Sequence, residues 1–162
     1  MKPQIGTALK YGDNINTDII SPPQYMELSI AEACVYAMSA VDSTFASRVR
    51  PGDIFVAGNN LGSGSSRETS PLTLQHLGIR AVIARSFARI FYRNLINIGI
   101  PAIQCAQADN ISDGDSLEIN YHDGIIYNRT KEEHYRCGKL PDHILQIIEM
   151  GGLYEYLKSR LT

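Results

Sequence analysis

The segment DIFVAGNNLGSGSSRE, residues 53–68, decides the fold and points to the chemistry of this chain. Its residues 54–57 are all apolar, a pattern typical of a buried strand. In the turn that follows, Gly62 and Gly64 permit a positive φ and let a ligand approach the backbone closely. The segment therefore predicts a strand, a tight glycine turn and then a helix.

The three residues after these glycines carry chemically useful side chains. Ser65 and Ser66 supply two hydroxyls, and Arg67 supplies a permanent cation that can hold a carboxylate or phosphate through two parallel hydrogen bonds. The backbone amides of such a turn, near a helix start, also attract anions. A serine pair alone is more typical of a solvated turn or a helix cap. Together with the arginine, it predicts a site for a small anion.

The pattern of apolar residues around this turn predicts an α/β protein. Predicted helices alternate with predicted strands, which favours a parallel core with right-handed crossovers. The later part instead predicts an antiparallel hairpin and two terminal helices. The predicted strands are 5–10, 54–57, 81–84, 101–105, 116–121 and 125–128, and the predicted helices are 29–40, 70–77, 87–98, 141–150 and 153–161.

The composition is that of a soluble globular protein. The 162 residues are enough for one domain with a sizeable core, and 44% are apolar and 20% charged. A formal net charge of −2 gives no electrostatic reason to expect nucleic-acid binding. We find no apolar run long enough to span a membrane and no signal-type N-terminal stretch. These features predict a cytoplasmic protein.

The distribution of cysteine and histidine predicts no metal site within this chain. Cys34, Cys105 and Cys137 are widely spaced and form no Cys-x-x-Cys pair. An odd number of scattered cysteines indicates reduced thiols in a reducing compartment. The four histidines show no ligand spacing either.

Three blocks of sequence, in this order, carry a resemblance to a known family. They are residues 12–21 (GDNINTDIIS), residues 52–58 (GDIFVAG) running on into 62–68 (GSGSSRE), and residues 78–94 (GIRAVIARSFARIFYRN). The sequence resembles the small-subunit family of the 3-isopropylmalate dehydratases, the swivelling domain of the aconitase superfamily. The resemblance extends over nearly the whole chain. It implies a single-domain β/β/α swivelling fold with a mixed sheet, over residues 1–162.

The resemblance also implies an activity that depends on a partner. A large subunit would carry a 4Fe–4S cluster on three cysteines, and the open iron would coordinate the substrate hydroxyl and carboxylate. Removal and re-addition of water would interconvert 2- and 3-isopropylmalate, small dicarboxylates of leucine biosynthesis. This chain would bind no cluster, and it would be active only with the large subunit. The stoichiometry and any self-association of the isolated chain stay open.

Residue roles follow from the same resemblance. Ser65 matches the base that takes a proton from carbon, and surrounding amides, a nearby cation and exclusion of water would favour its alkoxide. Asp18 matches the aspartate of the family's Thr-Asp motif, which helps to order the active site. Arg67 takes the place of a ligand for a substrate carboxylate. Ser66 and Gly64 would contact the substrate at the same turn.

The segment SPPQYMEL, residues 21–28, departs from aconitase, which has a carboxylate-binding arginine in this loop. The next basic residue here is Arg48. Tyr25, Met26 and Leu28 instead favour an apolar substituent, as in isopropylmalate, dimethylmalate or citramalate, over citrate or homocitrate. A hydrophobic pocket distinguishes one methylene by only ~10–200-fold, so the alkyl group stays open. The sequence also leaves open whether the pathway is biosynthetic or degradative.

Two alternative functions remain at this point. One is an independent module that binds phosphate, although the glycine turn lacks the Walker ending and the Gly-x-Gly-x-x-Gly spacing. The other is a regulatory or assembly protein that kept the fold without the chemistry. Arg85, Arg89 and Arg93, spaced by four, are predicted to form one stripe of a helix that faces solvent or a partner.

Overall fold

A computed structural model describes residues 1–161 as one seven-stranded sheet packed with helices. The strand order is β4-β3-β2-β1-β5-β6-β7. Pairing is parallel from β1 to β4 and antiparallel from β1 through β5 to β7, which confirms the predicted mixed sheet. The strands are β1 Gln4–Lys10, β2 Ile54–Ala57, β3 Ala81–Ala84, β4 Ala102–Gln104, β5 Ser116–Asn120, β6 Ile125–Asn128 and β7 Glu133–Arg136.

The helices are short. Helices α1 to α5 lie between the parallel strands in the sequence, and α6 and α7 form the C-terminal part of the chain. None of those described is both long and apolar enough to cross a bilayer. They are α1 Thr17–Ile20, α2 Ile30–Ala33, α3 Phe45–Arg48, α4 Thr69–Leu77, α5 Arg89–Asn97, α6 Asp142–Glu149 and α7 Leu153–Arg160.

Burial explains why the two halves of the sheet have different sequences. Strands β2 and β3 are buried at every position, as expected for parallel strands covered on both faces. Strand β5 alternates between buried and partly exposed residues, as expected for a sheet with one covered face. The sheet also curls, because the amide of Gly138, just after β7, donates to the carbonyl of Gln104 in β4 at 2.9 Å. The two outer strands therefore approach each other.

The predicted helix over residues 29–40 is wrong in extent. Its start is correct, since Ser29 and Glu32 form a capping box, but α2 ends after four residues and a short 3-10 turn follows. Met38 then takes a left-handed φ of 61° and its amide donates to the carbonyl of Ile19 at 3.1 Å. A tertiary contact thus replaces the continuation of the helix.

The start of α4 also differs from the prediction. The sequence predicts this helix over residues 70–77, which would place Ser70 at its start, but Glu68 is the N-cap and Thr69 the first helical residue. The hydroxyl of Ser70 donates instead to the carbonyl of Thr17 at 3.1 Å. The Ser70 hydroxyl is therefore bonded to a residue far away in the sequence and does not cap the helix.

The predicted arginine stripe does not lie on one helix. Helix α5 begins at Arg89, two residues later than expected, because Phe87 forms a parallel bridge with Leu61. Arg85 therefore precedes the helix, while Arg89 and Arg93 are exposed on it. Strand β7, whose residues are mostly polar and exposed, is also absent from the predicted elements.

A partly buried polar network fixes the segment between α2 and β2 to the end of β1. The carboxylate of Asp42 accepts from the Thr44 hydroxyl at 2.6 Å, from the Tyr11 hydroxyl at 2.6 Å and from Arg48 at 3.1 Å. Arg48 also pairs with Asp113 at 3.0 Å. The hydrogen bonds from Thr44 and Tyr11 hold the pKa of Asp42 well below its ordinary range. The carboxylate thus stabilises the fold in its charged form.

We expect the Asp42→Asn variant to lose about 1–3 kcal/mol of stability at pH 7, because it removes charge-assisted hydrogen bonds. A carboxyl group whose pKa is lowered by folding stabilises the folded protein at pH values above its unfolded-state pKa. That contribution disappears as the pH falls through the folded-state pKa. The difference from wild type should therefore shrink below about pH 4. Urea unfolding of wild type and variant at pH 7 and pH 3 measures this difference in stability.

The matched control is Asp109→Asn. Asp109 pairs with Arg85 at 2.6 Å, but the two side chains are 55% and 40% exposed. An exposed pair contributes roughly 0–1 kcal/mol. Equal losses at pH 7 for the two variants would contradict the role assigned to Asp42.

Candidate active site

The loops that follow β1, β2 and β3 meet at one edge of the sheet. Parallel strands bring their carboxyl ends together, which is where ligands bind in open α/β sheets. The amide of Gly58 donates to the Gly12 carbonyl at 3.0 Å, and that of Asn14 donates to the Asn59 carbonyl at 2.8 Å. The amide of Leu61 reaches the third loop, at the carbonyl of Ser86, at 3.0 Å. The three sequence blocks singled out above therefore form one structure.

Two glycines are required by this close approach. A Cβ added at Gly58 would lie 1.9 Å from a carboxylate oxygen of Asp13, and one added at Gly62 would lie 2.0 Å from the Phe91 ring. Gly62 also has a φ of +86°, which disfavours a side chain. The segment from residue 62 to residue 70, here called the glycine loop, is thus positioned by the Phe91 ring, which lies against Gly62.

Thr17, the first residue of α1, joins the glycine loop at two points. Its amide donates to the Ser63 carbonyl at 2.9 Å, and its carbonyl accepts from the Ser70 hydroxyl at 3.1 Å. Asn16 caps α1 by accepting from the amide of Ile19 at 2.9 Å. This geometry places the next residue of α1 beside the glycine loop.

Asp18, Ser65 and Arg67 lie together, although 47 residues separate the first two in the sequence. The Nε of Arg67 donates to the Ser65 hydroxyl oxygen at 2.9 Å. An outer nitrogen of the same guanidinium, Nη2, donates to Asp18 at 3.2 Å. Arg67 therefore connects the two side chains that the sequence marked as catalytic.

The ion pair between Arg67 and Asp18 is open to solvent. Their side chains are 31% and 56% exposed, and such pairs contribute little to folding stability. The other outer nitrogen, Nη1, donates among the described residues only to the Met26 sulfur, at 3.4 Å, and a thioether is a weak acceptor. The outer edge of the guanidinium can thus bind a carboxylate without a large loss of existing hydrogen bonds.

The amides of Gly64, Ser65 and Ser66 donate no hydrogen bond to any described residue of the chain. Successive free amides at a turn favour an anion. The side-chain amide of Asn94, on α5, donates to the Ser66 carbonyl at 3.4 Å and supports the turn from below. Sequence reasoning missed that contact, because Asn94 lies 28 residues from Ser66 and no local pattern connects the two.

A pocket with mostly apolar walls lies next to Arg67. Tyr25 stacks on Tyr36 with ring centroids 3.8 Å apart and an interplanar angle of 8°. Among the described residues that line the pocket, Arg67 is the only charged one. The lining also includes Pro22, Tyr25, Met26, Leu28, Ile30 and Ala33. The loop expected to favour an apolar substituent therefore forms a surface of that kind.

The cysteines do not fit an iron–sulfur cluster. Within residues 1–161, no three His, Cys, Asp or Glu side chains come together as a metal-ligand group. Cluster ligation needs thiolates. Burial raises the pKa of Cys34 and of Cys105, and it raises the pKa of Cys137 to about 12. All three are free thiols that favour the protonated form.

Comparison with known proteins identifies the family. A family model described as the aconitase C-terminal domain matches residues 10–108. The 3-isopropylmalate dehydratase small subunit 1 of Archaeoglobus fulgidus is 47% identical over 156 residues, which cover 96% of this chain and 97% of that protein. The chain belongs to the 3-isopropylmalate dehydratase small-subunit family of the aconitase superfamily. The resemblance stated from the sequence is confirmed.

Two matches from Methanocaldococcus jannaschii extend the comparison within this family. The isopropylmalate/citramalate isomerase small subunit is 45% identical over 159 residues, which cover 97% of this chain and 95% of that protein. A crystal structure of 3-isopropylmalate dehydratase matches with a TM-score of 0.93 at 40% identity, over 99% of this chain and 96% of that one. The predicted fold class is confirmed.

The contact between the glycine loop and α5 gives a test of the architecture. We expect Gly62→Ala to cost at least about 2 kcal/mol, because a methyl group would overlap the Phe91 ring and the backbone φ is positive. Gly12→Ala is the matched control, since a Cβ there meets nothing within 4 Å. It should stay within about 0.5 kcal/mol of wild type. Similar urea midpoints for both variants would exclude the proposed packing.

Proposed function

We propose that this chain supplies the base and a carboxylate-binding arginine to a hydro-lyase that acts on an alkyl-substituted malate. The arrangement of Ser65, Arg67 and Asp18 carries this proposal. One guanidinium donates both to the candidate base and to an aspartate, and its outer edge remains open to a substrate carboxylate. The family of this chain contains enzymes that work with a large subunit, which agrees with a site left open to solvent on this chain.

Ser65 is proposed to remove the proton from carbon. A serine hydroxyl is a weak acid, so its alkoxide must be stabilised by the site. Arg67 does this directly, because a cation that donates at 2.9 Å to the hydroxyl oxygen favours negative charge there. The carbon–hydrogen bond breaks, its electron pair forms the double bond, and the proton moves to Ser65. The hydroxyl of the substrate leaves with its bonding electron pair, takes up a proton from an acid of the assembled enzyme, and is released as water.

The second half of the reaction reverses these steps at the neighbouring carbon. Water adds its hydroxyl to the double bond in the opposite orientation and gives its remaining proton back to that acid, while Ser65 returns its own proton to carbon. The net change moves the hydroxyl from one carbon to the next, with no change in atoms or oxidation level. Asp18 is proposed to orient Arg67 rather than to touch the reacting carbon, because its contact is with Nη2 of the guanidinium.

The apolar pocket supports an alkyl malate as substrate. A substrate carboxylate held by Arg67 would place its substituent beside Tyr25, Met26 and Leu28. A third carboxylate, as in citrate or homocitrate, would meet no second cation among the described lining residues. We propose 2- and 3-isopropylmalate as the pair that is interconverted, in leucine biosynthesis. Citramalate is the strongest alternative, because a relative carries both names.

The 4Fe–4S cluster is proposed to belong to the large subunit. Within residues 1–161 no three ligand-type side chains come together as a metal-binding group, which supports this assignment. The free thiols agree with a reducing compartment, which we propose to be the cytoplasm.

The test is an anaerobic assay of the assembled enzyme. This chain is co-expressed with the cluster-carrying large subunit from the same source, the cluster is reconstituted, and isopropylmalate, citramalate, dimethylmalate, citrate and homocitrate are assayed side by side. We expect turnover only of the alkyl malates. Turnover of citrate or homocitrate would mean that a cation outside this chain replaces the arginine that the loop of residues 21–28 lacks. No turnover from a fully assembled complex would reject the function.

Ser65→Ala separates catalysis from assembly. It removes the proposed base and little else, so we expect turnover to fall below detection while size-exclusion chromatography still shows the complex with the large subunit. Retained turnover at the wild-type rate would remove Ser65 from the mechanism.

Arg67→Lys tests the two-pronged contact. Lysine keeps the charge but cannot hold a carboxylate through two parallel hydrogen bonds. We expect KM to rise about tenfold or more, with a smaller loss in kcat from the weaker support of Ser65. Arg129→Lys, on an exposed turn after β6, is the matched control and should leave both parameters unchanged. Unchanged kinetics for Arg67→Lys would contradict its assigned contact with substrate.

A further inference from the structure

Thr17 has an unpaired hydroxyl in the interior of the protein. The residue is 2% exposed, and its Oγ1 has no hydrogen-bond partner within the described part of the chain. Its backbone is fully used, since the amide donates to Ser63 and the carbonyl accepts from Ser70. Thr17 therefore holds both ends of the glycine loop while its side chain remains without a partner.

The hydroxyl of Thr17 faces the middle of the same loop. A Cβ added at Gly64 would lie 3.1 Å from Oγ1, and this is the nearest atom that it would meet. Gly64 has a φ of +105° and directly precedes Ser65. The amides of both residues donate to no described residue of the protein. A polar group without a partner thus lies against a peptide segment whose own donors are free.

Stability alone does not explain a hydroxyl at this position. A buried hydroxyl without a hydrogen bond costs free energy, and valine would fill almost the same space without that cost. Thr73 shows the usual arrangement nearby. It is 3% exposed, and its hydroxyl pairs with that of Ser21 at 3.1 Å. Of these two buried threonines, Thr17, behind the glycine loop, is the one whose hydroxyl is unpaired.

The contacts of Ser65 fix its oxygen but not the loop that carries it. In the structure the Ser65 oxygen accepts from both Nε and the amide of Arg67, at 2.9 Å and 3.4 Å. Arg67 belongs to the same loop and its side chain is 31% exposed, so these bonds do not tie Ser65 to a rigid part of the fold. Holding Ser65 at the substrate needs a fixed group outside the loop. Thr17 is such a group, because α1 is capped and its backbone is bonded to the loop at both ends.

We propose that Thr17 is a positioning residue, whose hydroxyl hydrogen-bonds to the Gly64–Ser65 segment when substrate is bound. This contact fixes the direction of the Ser65 side chain during proton transfer. The inference rests on the proposed function, since it concerns the same site, and it assigns to Thr17 no contact with the substrate itself.

The test compares Thr17→Val and Thr17→Ser in the enzyme assembled with its large subunit. Valine removes the hydroxyl and keeps the shape, whereas serine keeps the hydroxyl. We expect Thr17→Val to lower kcat about tenfold or more, a barrier increase of about 1.4 kcal/mol, with a much smaller change in KM. Its urea midpoint should equal or exceed that of wild type. Thr17→Ser should restore kcat to within about threefold of wild type.

Thr7→Val is the matched control, because Thr7 is exposed on the first half of β1, and it should leave kcat unchanged. Wild-type kcat in Thr17→Val would overturn the proposal, since the hydroxyl would then be merely tolerated. A lower urea midpoint in Thr17→Val would also overturn it, by showing that the hydroxyl already has a structural partner.

A second measurement does not depend on turnover. Hydrogen exchange of the peptide that spans residues 63–70 is followed in the complex, with and without added 2-isopropylmalate. We expect the ligand to slow exchange in wild type and in Thr17→Ser but not in Thr17→Val. If wild type turns nothing over yet shows this protection, the proposed reaction fails while the role of Thr17 stands. Equal protection in Thr17→Val, or none in wild type, would overturn the role of Thr17.

Discussion

The backbone hydrogen bond from Thr17 to Ser63 joins two segments on which the rest of the site depends. It connects the loop after β1 to the glycine loop after β2, and the hydroxyl of Ser70 returns from the far end of that loop to the same residue. Parallel pairing of β1 and β2 brings the two loops to one edge of the sheet. Without this junction, Asp18 would not lie within reach of Arg67.

A single guanidinium organises the charges at this junction. Arg67 donates to Ser65 and to Asp18, and its outer edge faces solvent next to the apolar pocket. An exposed ion pair adds little stability, so its bonds can be exchanged for those of a substrate at small cost. The same exposure leaves the proposed base in contact with water. Proton removal from carbon requires a drier site, which agrees with an enzyme completed by a second subunit.

The apolar pocket and the cysteines support the proposed division of work between the two subunits. Tyr25 and Met26 place an apolar wall beside Arg67, the one charged residue among the described residues of the lining, which favours a substrate that has an alkyl group near a carboxylate. The cysteines are held as protonated thiols by burial, and Cys105 lies under the edge where the curled sheet approaches itself. In this chain they serve packing, and the proposed chemistry draws on serine, arginine and backbone amides.

The sequence by itself determined the family, the mixed sheet and most of the strands, because apolar runs such as residues 54–57 and turn residues such as Gly78 act locally. It also marked Ser65 and Arg67, which are close in the chain. Only the tertiary structure decided where α2 ends and where α4 begins, that Arg85 lies off α5, and that Asn94 supports the turn. It alone revealed the unpaired hydroxyl of Thr17. These features depend on contacts between residues far apart in sequence, such as Met38 with Ile19 and Ser70 with Thr17, and local pattern carries no information about such partners.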